Sequence, residues 1–202
     1  MGKIQPPQYY LSDLRLADMK ALDRIARDPD FFYAYLNENR KPVWRGVVRF
    51  MRLSLWTRLR RPRHWFKAVR SCHDRQMIGC VVMLDLHVRE RGLAEIAYFI
   101  AAPAQGRGIG GNAVISAVRW AYANHGLRRL DAHADPDNPA STSILMRLGL
   151  QPAQYIPPSR SMAFDRDGNP RPRYLWAGPA ESLAAALARH PQEHDFPVLD
   201  NP

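Results

Sequence analysis

The sequence predicts an α/β domain built on a mixed sheet. Three observations carry this. Helical and strand-like patterns alternate along the chain. Tight connections join the central strands. A glycine-rich loop stands between a strand and a helix. The 202 residues suit one domain, and 46% apolar residues supply an ample core.

Residues 1–10 read as extended and contain proline. Asp13 or Asp18 can cap a helix that carries Met19, Leu22, Ile25 and Ala26 at helical spacing. Phe31 to Leu36 continues an aromatic-rich helical stretch. Pro42 can open a further helix to about Leu59, with Arg45, Arg49 and Arg52 on one face and Val48, Met51, Leu55 and Leu59 on another. Three strands follow, at Trp65–Val69, Met77–Leu86 and Leu93–Ala101, and their short links imply an antiparallel meander. A helix is expected from about Gly108 to Asn124, ended at Gly126. Arg129 to Asp135 alternates like a strand. Asp137 or Asn138 caps a helix with Ile144, Leu145 and Leu148 inside, and Gly149 stops it. Asp167-Gly168-Asn169 reads as the turn of a hairpin between Met162–Phe164 and Tyr174–Trp176. Ala180 to His190 is a short helix, and a mobile tail is expected from about residue 191.

Charge is unevenly placed. The chain has 29 Lys and Arg against 19 Asp and Glu. Eleven of the basic residues lie between Arg40 and Arg70, where there is no acidic residue. The basic excess is therefore local. It offers a surface to an acidic protein, to nucleic acid or to anionic lipid, or it is simply solvated. No run of about 18 apolar residues exists, so no transmembrane helix is expected. Met1 to Pro6 has no apolar core like that of a signal peptide, so Cys72 and Cys80 are expected to be free thiols of a cytoplasmic protein. Neither cysteine has ligand spacing for zinc, and no metal is expected.

The loop Gln105-Gly106-Arg107-Gly108-Ile109-Gly110-Gly111 is the most informative stretch. Four glycines at a strand-to-helix junction let an anion approach the backbone, where free helical N–H groups and the helix dipole meet it. Arg107 adds a charged donor. The chemistry implied is recognition of a phosphate or pyrophosphate. The Gly-Lys-Ser/Thr of a Walker A loop is absent. The dinucleotide fingerprint fits Gly106, Gly108 and Gly111, with Asp131 twenty residues on, and keeps a nucleotide-dependent oxidoreductase as a third reading. Against it, Ala102-Pro103-Ala104-Gln105 separates strand from loop, the strand belongs to an antiparallel meander, and Asp131 lies inside the next strand.

Gln105-x-x-Gly108-x-Gly110 after a strand and Pro103 resembles the pyrophosphate loop of the GNAT acetyltransferase superfamily. Ala94-Glu95-Ile96-Ala97-Tyr98-Phe99-Ile100 is similar to that superfamily's fourth strand. Asn138-Pro139-Ala140-Ser141, followed by Leu148-Gly149-Leu150, is similar to its N-x-x-S…x-G-F signature. The branch most resembled is that of ribosomal-protein N-terminal acetyltransferases. The match covers roughly residues 93–150; Leu14 to Asp30 suits the first helical region, and residues 40–63 are an elaboration. Three positions depart from the pattern. Ala97 stands for a usual Gly, Leu150 for a usual Phe, and Leu145 where many members carry a tyrosine that protonates the leaving thiolate.

The resemblance implies a mostly antiparallel mixed sheet with helices on both faces. It implies direct transfer of an acetyl group from acetyl-CoA to a primary amine, either a protein N-terminus or a small amine. It makes Glu95 the candidate base, acting on the amine directly or through water. It gives Gln105 to Gly111 the pyrophosphate. Ile100 and Ala101 would offer backbone groups to the pantetheine arm and the oxyanion. Asn138 would bond the pantetheine region as well as cap its helix, and Ser141 would handle the thiolate. Asp131, His133 and Asp135 share one strand face, read as solvated with His133 as a reserve base. Dimers are common in the superfamily, so a homodimer is compatible with it. The competing reading is a catalytically weak GNAT-fold module that binds CoA and serves a regulatory or nucleic-acid-associated role.

Overall fold

The structure, a computed structural model, describes residues 8–27, 43–59, 64–84, 92–161 and 169–199. One eight-stranded sheet, ordered β6-β7-β5-β4-β3-β2-β1-β8, runs through these residues. Its strands are β1 (Tyr9–Asp13), β2 (Trp65–Ser71), β3 (Met77–Leu84), β4 (Leu93–Ile100), β5 (Arg129–Ala134), β6 (Gln151–Ile156), β7 (Arg173–Pro179) and β8 (Val198–Leu199). The helices are α1 (Met19–Arg27), α2 (Val43–Leu59), α3 (Ile109–His125), α4 (Pro139–Arg147) and α5 (Ala180–Arg189).

The expected meander is present: β1 to β4 pair antiparallel in sequence order. β4 and β5 pair parallel. Parallel neighbours need a crossover, and α3 supplies it. Ala113, Val114, Ala117, Val118 and Ala121 of α3 are fully buried. They pack with Leu145 of α4, Leu183 and Leu187 of α5, and Ile96 and Ile100 of β4 in one core. The opposite face of the sheet carries a second core, in which Leu22 and Ile25 of α1 and Val47, Phe50 and Met51 of α2 meet Phe66, Cys80, Val82 and Phe99. Covered on both faces, β2 and β3 are almost continuously buried, and β3 is apolar throughout.

Several sequence readings are corrected. Asp13 does not cap a helix; it ends β1. Asp18 closes a short 3-10 turn before α1, accepting from the Arg15 amide at 2.7 Å. The buried stripe of α2 runs through Val47, Phe50, Met51 and Ser54 rather than Val48, Met51 and Leu55. Phe50 sets this rotation, because its ring seats edge-on against Phe66 with centroids 5.3 Å apart. Arg45, Arg49 and Arg52 do face outward. β7 pairs with β6, which begins directly after α4. The expected strand Met162–Phe164 and turn residues Asp167 and Gly168 lie outside the described residues, as does Phe31 to Leu36.

Residues 192–199 do not form a loose tail. β8 pairs parallel with β1, Phe196 is buried, and its amide donates to Ser116 Oγ at 2.8 Å. Arg119 of α3 adds an ion pair to Asp195. This docking was invisible because a two-residue strand has too few positions to show alternation.

Two members of the basic segment are structural. Lys67 is buried with its Nζ 2.7 Å from Asp13 Oδ1. Arg70 is buried and grips both carboxylate oxygens of Asp18 at 2.6 and 2.8 Å while donating to Ser12 Oγ. Each cation therefore meets a carboxylate instead of a partner molecule.

The two cysteines differ sharply. Cys72 is exposed, whereas Cys80 is buried and its thiol is pushed well above the usual range, first by burial and then by the nearby Asp18 carboxylate. Thiolate is the reactive form, so an aromatic disulfide reagent should titrate Cys72 in the native protein and Cys80 only after denaturation. Two thiols reacting at equal rates in buffer would contradict this packing.

Candidate active site

The site grows from a mismatch in strand pairing. The parallel register of β4 and β5 runs from Leu93↔Arg129 to Ile96↔Ala132 and stops there. β4 continues to Ile100 and β5 to Ala134. Residues 97–100 thus have β3 on one edge and a wedge on the other. Ala101 donates its amide to Ile78 O of β3 at 2.8 Å. Successive residues of a strand send their amides to opposite edges, so the Ile100 and Tyr98 amides face the wedge. This corrects one assignment. Ala101 has its N–H engaged by β3, and Ile100 and Tyr98 are the residues with backbone donors on the open side.

At the end of β4 the chain makes a 3-10 turn, Ala102–Ala104, with Pro103 inside it. Gln105 then folds back, its Nε2 donating to Ile100 O at 2.8 Å. Its side chain therefore braces the loop against β4. Gly106 and Gly108 have φ of +72° and +75°, which side chains rarely adopt. A Cβ on either would meet no atom within 4 Å, so their conformation and the open space above them, not crowding, call for glycine. Gly108 is the N-cap of α3 and supplies no side-chain acceptor. The amides of Ile109, Gly110 and Gly111 therefore open the helix without an intrahelical partner. Ile109 has its side chain in the core and offers only its amide. Gly110 and Gly111 have a packing role too, since a Cβ there would come within 3.3 Å of Ile100 Cγ1 and 3.0 Å of an Arg147 guanidinium nitrogen, respectively. Arg107 is exposed beside this cradle.

α4 meets the wedge from the other side. Asn138 caps it, Oδ1 accepting from the Ser141 amide at 3.0 Å. That bond uses the oxygen of the carboxamide and leaves its NH2 to donate. Ser141 Oγ lies 2.9 Å from the Tyr98 hydroxyl, which reaches across from β4. Leu145 is fully buried and offers nothing polar.

On the sheet face shared with α1 and α2, Glu95 and His133 approach from β4 and β5, with His133 Nδ1 3.1 Å from Glu95 Oε1. Both side chains are partly exposed. An ionised carboxylate can only accept, so Nδ1 carries the hydrogen in that state. The neighbouring carboxylates are held elsewhere. Asp131 pairs with Arg129 at 2.8 Å, and Asp135 and Asp137 pair with Arg171 at 2.9 and 3.1 Å. The Asp131-His133-Asp135 face is partly exposed, as expected, and its groups are also paired. The two aspartates serve arginines, and His133 turns to Glu95.

Sequence reasoning missed Tyr98, Arg171 and the His133–Glu95 contact. Strand alternation does place Tyr98 on the face opposite Glu95, but its reach to Ser141 depends on where α4 starts. Among the described residues no group of three or more His, Cys, Asp or Glu is placed to hold a metal ion.

A family model described as "Acetyltransferase (GNAT) domain" matches residues 9–151. No curated protein matches the sequence significantly. Among solved structures, a ribosomal-protein-S5-alanine acetyltransferase from Vibrio fischeri is 17% identical, with TM-score 0.70 over 87% of this chain and 94% of that one. Spermidine N-acetyltransferase from Vibrio cholerae, solved with CoA and spermine, is 14% identical, with TM-score 0.70 over 88% and 98%. Mycobacterium smegmatis RimJ, solved with CoA-disulfide, is 21% identical, with TM-score 0.65 over 88% and 85%. These likenesses are of fold; the family model spans most of the chain and includes the wedge, the glycine loop and all of α4. The chain therefore belongs to the GNAT acetyltransferases, the family that its loop, strand and helix motifs resemble.

Proposed function

We propose that the protein transfers an acetyl group from acetyl-CoA directly to a primary amine, either a protein N-terminus or a small amine. The observation that carries this is the wedge between β4 and β5, which has an open anion cradle at the loop end and the Glu95–His133 pair on the sheet face beside it. The residues fit the co-substrate. The empty space over Gly106 and Gly108, the capless first turn of α3 and exposed Arg107 suit a pyrophosphate. Acetyl-CoA supplies the activated acyl group when bound. The Tyr98 and Ile100 amides and the Asn138 carboxamide would then hold the pantetheine arm, one strand amide donating to the developing oxyanion.

Glu95 is the base in this reading. His133 donates to Oε1, which orients the carboxylate, and Oε2 remains to take the proton of the amine directly or through water. The N–C bond forms, the C–S bond breaks, and its electron pair leaves on sulfur.

α2 lies over the sheet face that holds Glu95, through Phe50 against Phe99 with ring centroids 6.3 Å apart. Its outer face presents Trp44, Trp56, Arg45, Arg49 and Arg52. This elaboration builds part of the acceptor pocket. Charge reversal of all three arginines to Glu should change the acceptor KM roughly tenfold, since each exposed charge contact is worth ~0.2–1 kcal/mol. An acidic peptide acceptor should bind worse and a polyamine better. The acetyl-CoA KM should not move; an equal change in both would make α2 merely structural.

The direct test is release of CoA thiol from acetyl-CoA across a panel of peptides and small amines. Amine-dependent release supports the reading. Tight acetyl-CoA binding without release would favour the competing CoA-binding module, and salt-dependent RNA binding would then be the next measurement.

A further inference from the structure

The leaving sulfur needs a hydrogen-bond donor, and α4 has Leu145, fully buried, at the position where many GNAT enzymes carry a tyrosine. We propose that Tyr98, from β4 instead of α4, is a positioning residue that aims the Ser141 hydroxyl at that sulfur. This rests on the proposed acetyl transfer.

Tyr98 belongs to the stretch of β4 that has lost its β5 partner, so its side chain can cross the wedge to the first turn of α4. Its hydroxyl lies 2.9 Å from Ser141 Oγ and 3.3 Å from Ser141 O. The Ser141 amide is already held by Asn138, which fixes the backbone beneath the hydroxyl. A serine hydroxyl has one proton and two acceptor positions and otherwise rotates freely. If the phenol donates to Oγ, one acceptor position is filled and the serine proton must point elsewhere. A thiolate in the wedge is the strongest acceptor within reach of it. Donation from the phenol also polarises the serine O–H and strengthens that second bond. Burial pushes the Tyr98 phenol up to about 12, outweighing the opposite pull of the Ser141 contact, so it remains a donor through neutral and mildly basic pH. No proton is consumed from the pair. The thiolate leaves with the electrons of the C–S bond, steadied by the serine, and takes its proton from water on release. The proton removed from the amine reaches water through Glu95.

The experiment is a double-mutant cycle with Tyr98→Phe and Ser141→Ala, read by thiol release. Tyr98→Phe keeps the ring and removes the hydroxyl. Its kcat should fall about 5- to 10-fold, the worth of one oriented hydrogen bond, with acetyl-CoA KM and CoA affinity unchanged. Ser141→Ala should fall at least as far, and the double variant should be no slower than Ser141→Ala alone. An unchanged kcat in Tyr98→Phe, a change confined to KM, or a full further loss in the double variant overturns the proposal. Should Tyr98→Phe not fold, 3,5-difluorotyrosine at position 98 keeps the contact and makes the phenol more acidic. The kcat profile should then lose activity at a lower pH than in the wild type, and an unmoved profile overturns the proposal. Wild-type protein run in parallel separates the two levels. If it releases no thiol with any amine, acetyl transfer fails and Tyr98 with it; if it is active and Tyr98→Phe matches it, only Tyr98 fails.

Discussion

Gly108→Trp abolishes the stabilisation of the protein by acetyl-CoA. Two properties of this glycine make it so. Its φ of +75° costs an L-residue roughly 1–2 kcal/mol, which a folded domain of this size can absorb. A Cβ there meets no protein atom within 4 Å, so the indole has room to fold over the first turn of α3 without disturbing the core. The same room is where a pyrophosphate would sit against the amides of Ile109 to Gly111. At a concentration 100 times its dissociation constant, acetyl-CoA stabilises the wild-type protein by about 2.7 kcal/mol. In thermal unfolding the variant should melt without any such increment, a loss of affinity of at least about 100-fold. CoA should behave like acetyl-CoA, and NADH and NADPH should leave both proteins unmoved. Full stabilisation of Gly108→Trp by acetyl-CoA would remove the loop from the binding site. A response to NADH would restore the dinucleotide reading of Gly106, Gly108 and Gly111.

Glu95→Gln lowers kcat by about 10²- to 10⁴-fold and leaves the binding of acetyl-CoA intact. The substitution is nearly isosteric. The glutamine oxygen can still accept from His133 Nδ1, so the contact at 3.1 Å and the strand pairing survive. What disappears is the ability to take a proton. Stopped turnover with normal acetyl-CoA stabilisation therefore isolates the chemical step. The companion variant His133→Ala should be milder, because it loosens the base without removing it. If Glu95→Gln keeps most of its turnover while His133→Ala loses it, the imidazole is the base and the carboxylate its orienting partner.

Much of this architecture is legible along the chain. The apolar positions of α3 at spacings of three and four, the near-continuous apolar β3, and the alternation of β4 and β5 are local properties of the sequence. So are the glycines that end or begin helices. The loop from Gln105 to Gly111 is legible for the same reason: a strand, a proline, four glycines and a helix must follow one another directly to build it. Other features depend on which elements meet. Lys67 and Arg70 read as surface charge until β1 and the turn before α1 bring Asp13 and Asp18 to them across more than fifty residues. The face of α2 is set by where Phe66 and Phe99 stand in the sheet. β8 is too short to announce itself.

The sequence by itself therefore determined the family, the order of the elements, the anion loop and the identity of Glu95 and Ser141 as candidates. All of these are contained in runs of adjacent residues with a fixed period. Only the tertiary structure decided how the candidates are paired. The register of β4 against β5 places His133 on Glu95, because a side chain two residues along a neighbouring parallel strand lies within reach on the same face. The end of that register opens the wedge. The start of α4 opposite it gives Ser141 to Tyr98, a residue 43 positions away in sequence. Contacts of this kind follow from register and packing angle, and neither is a property of a local run of residues.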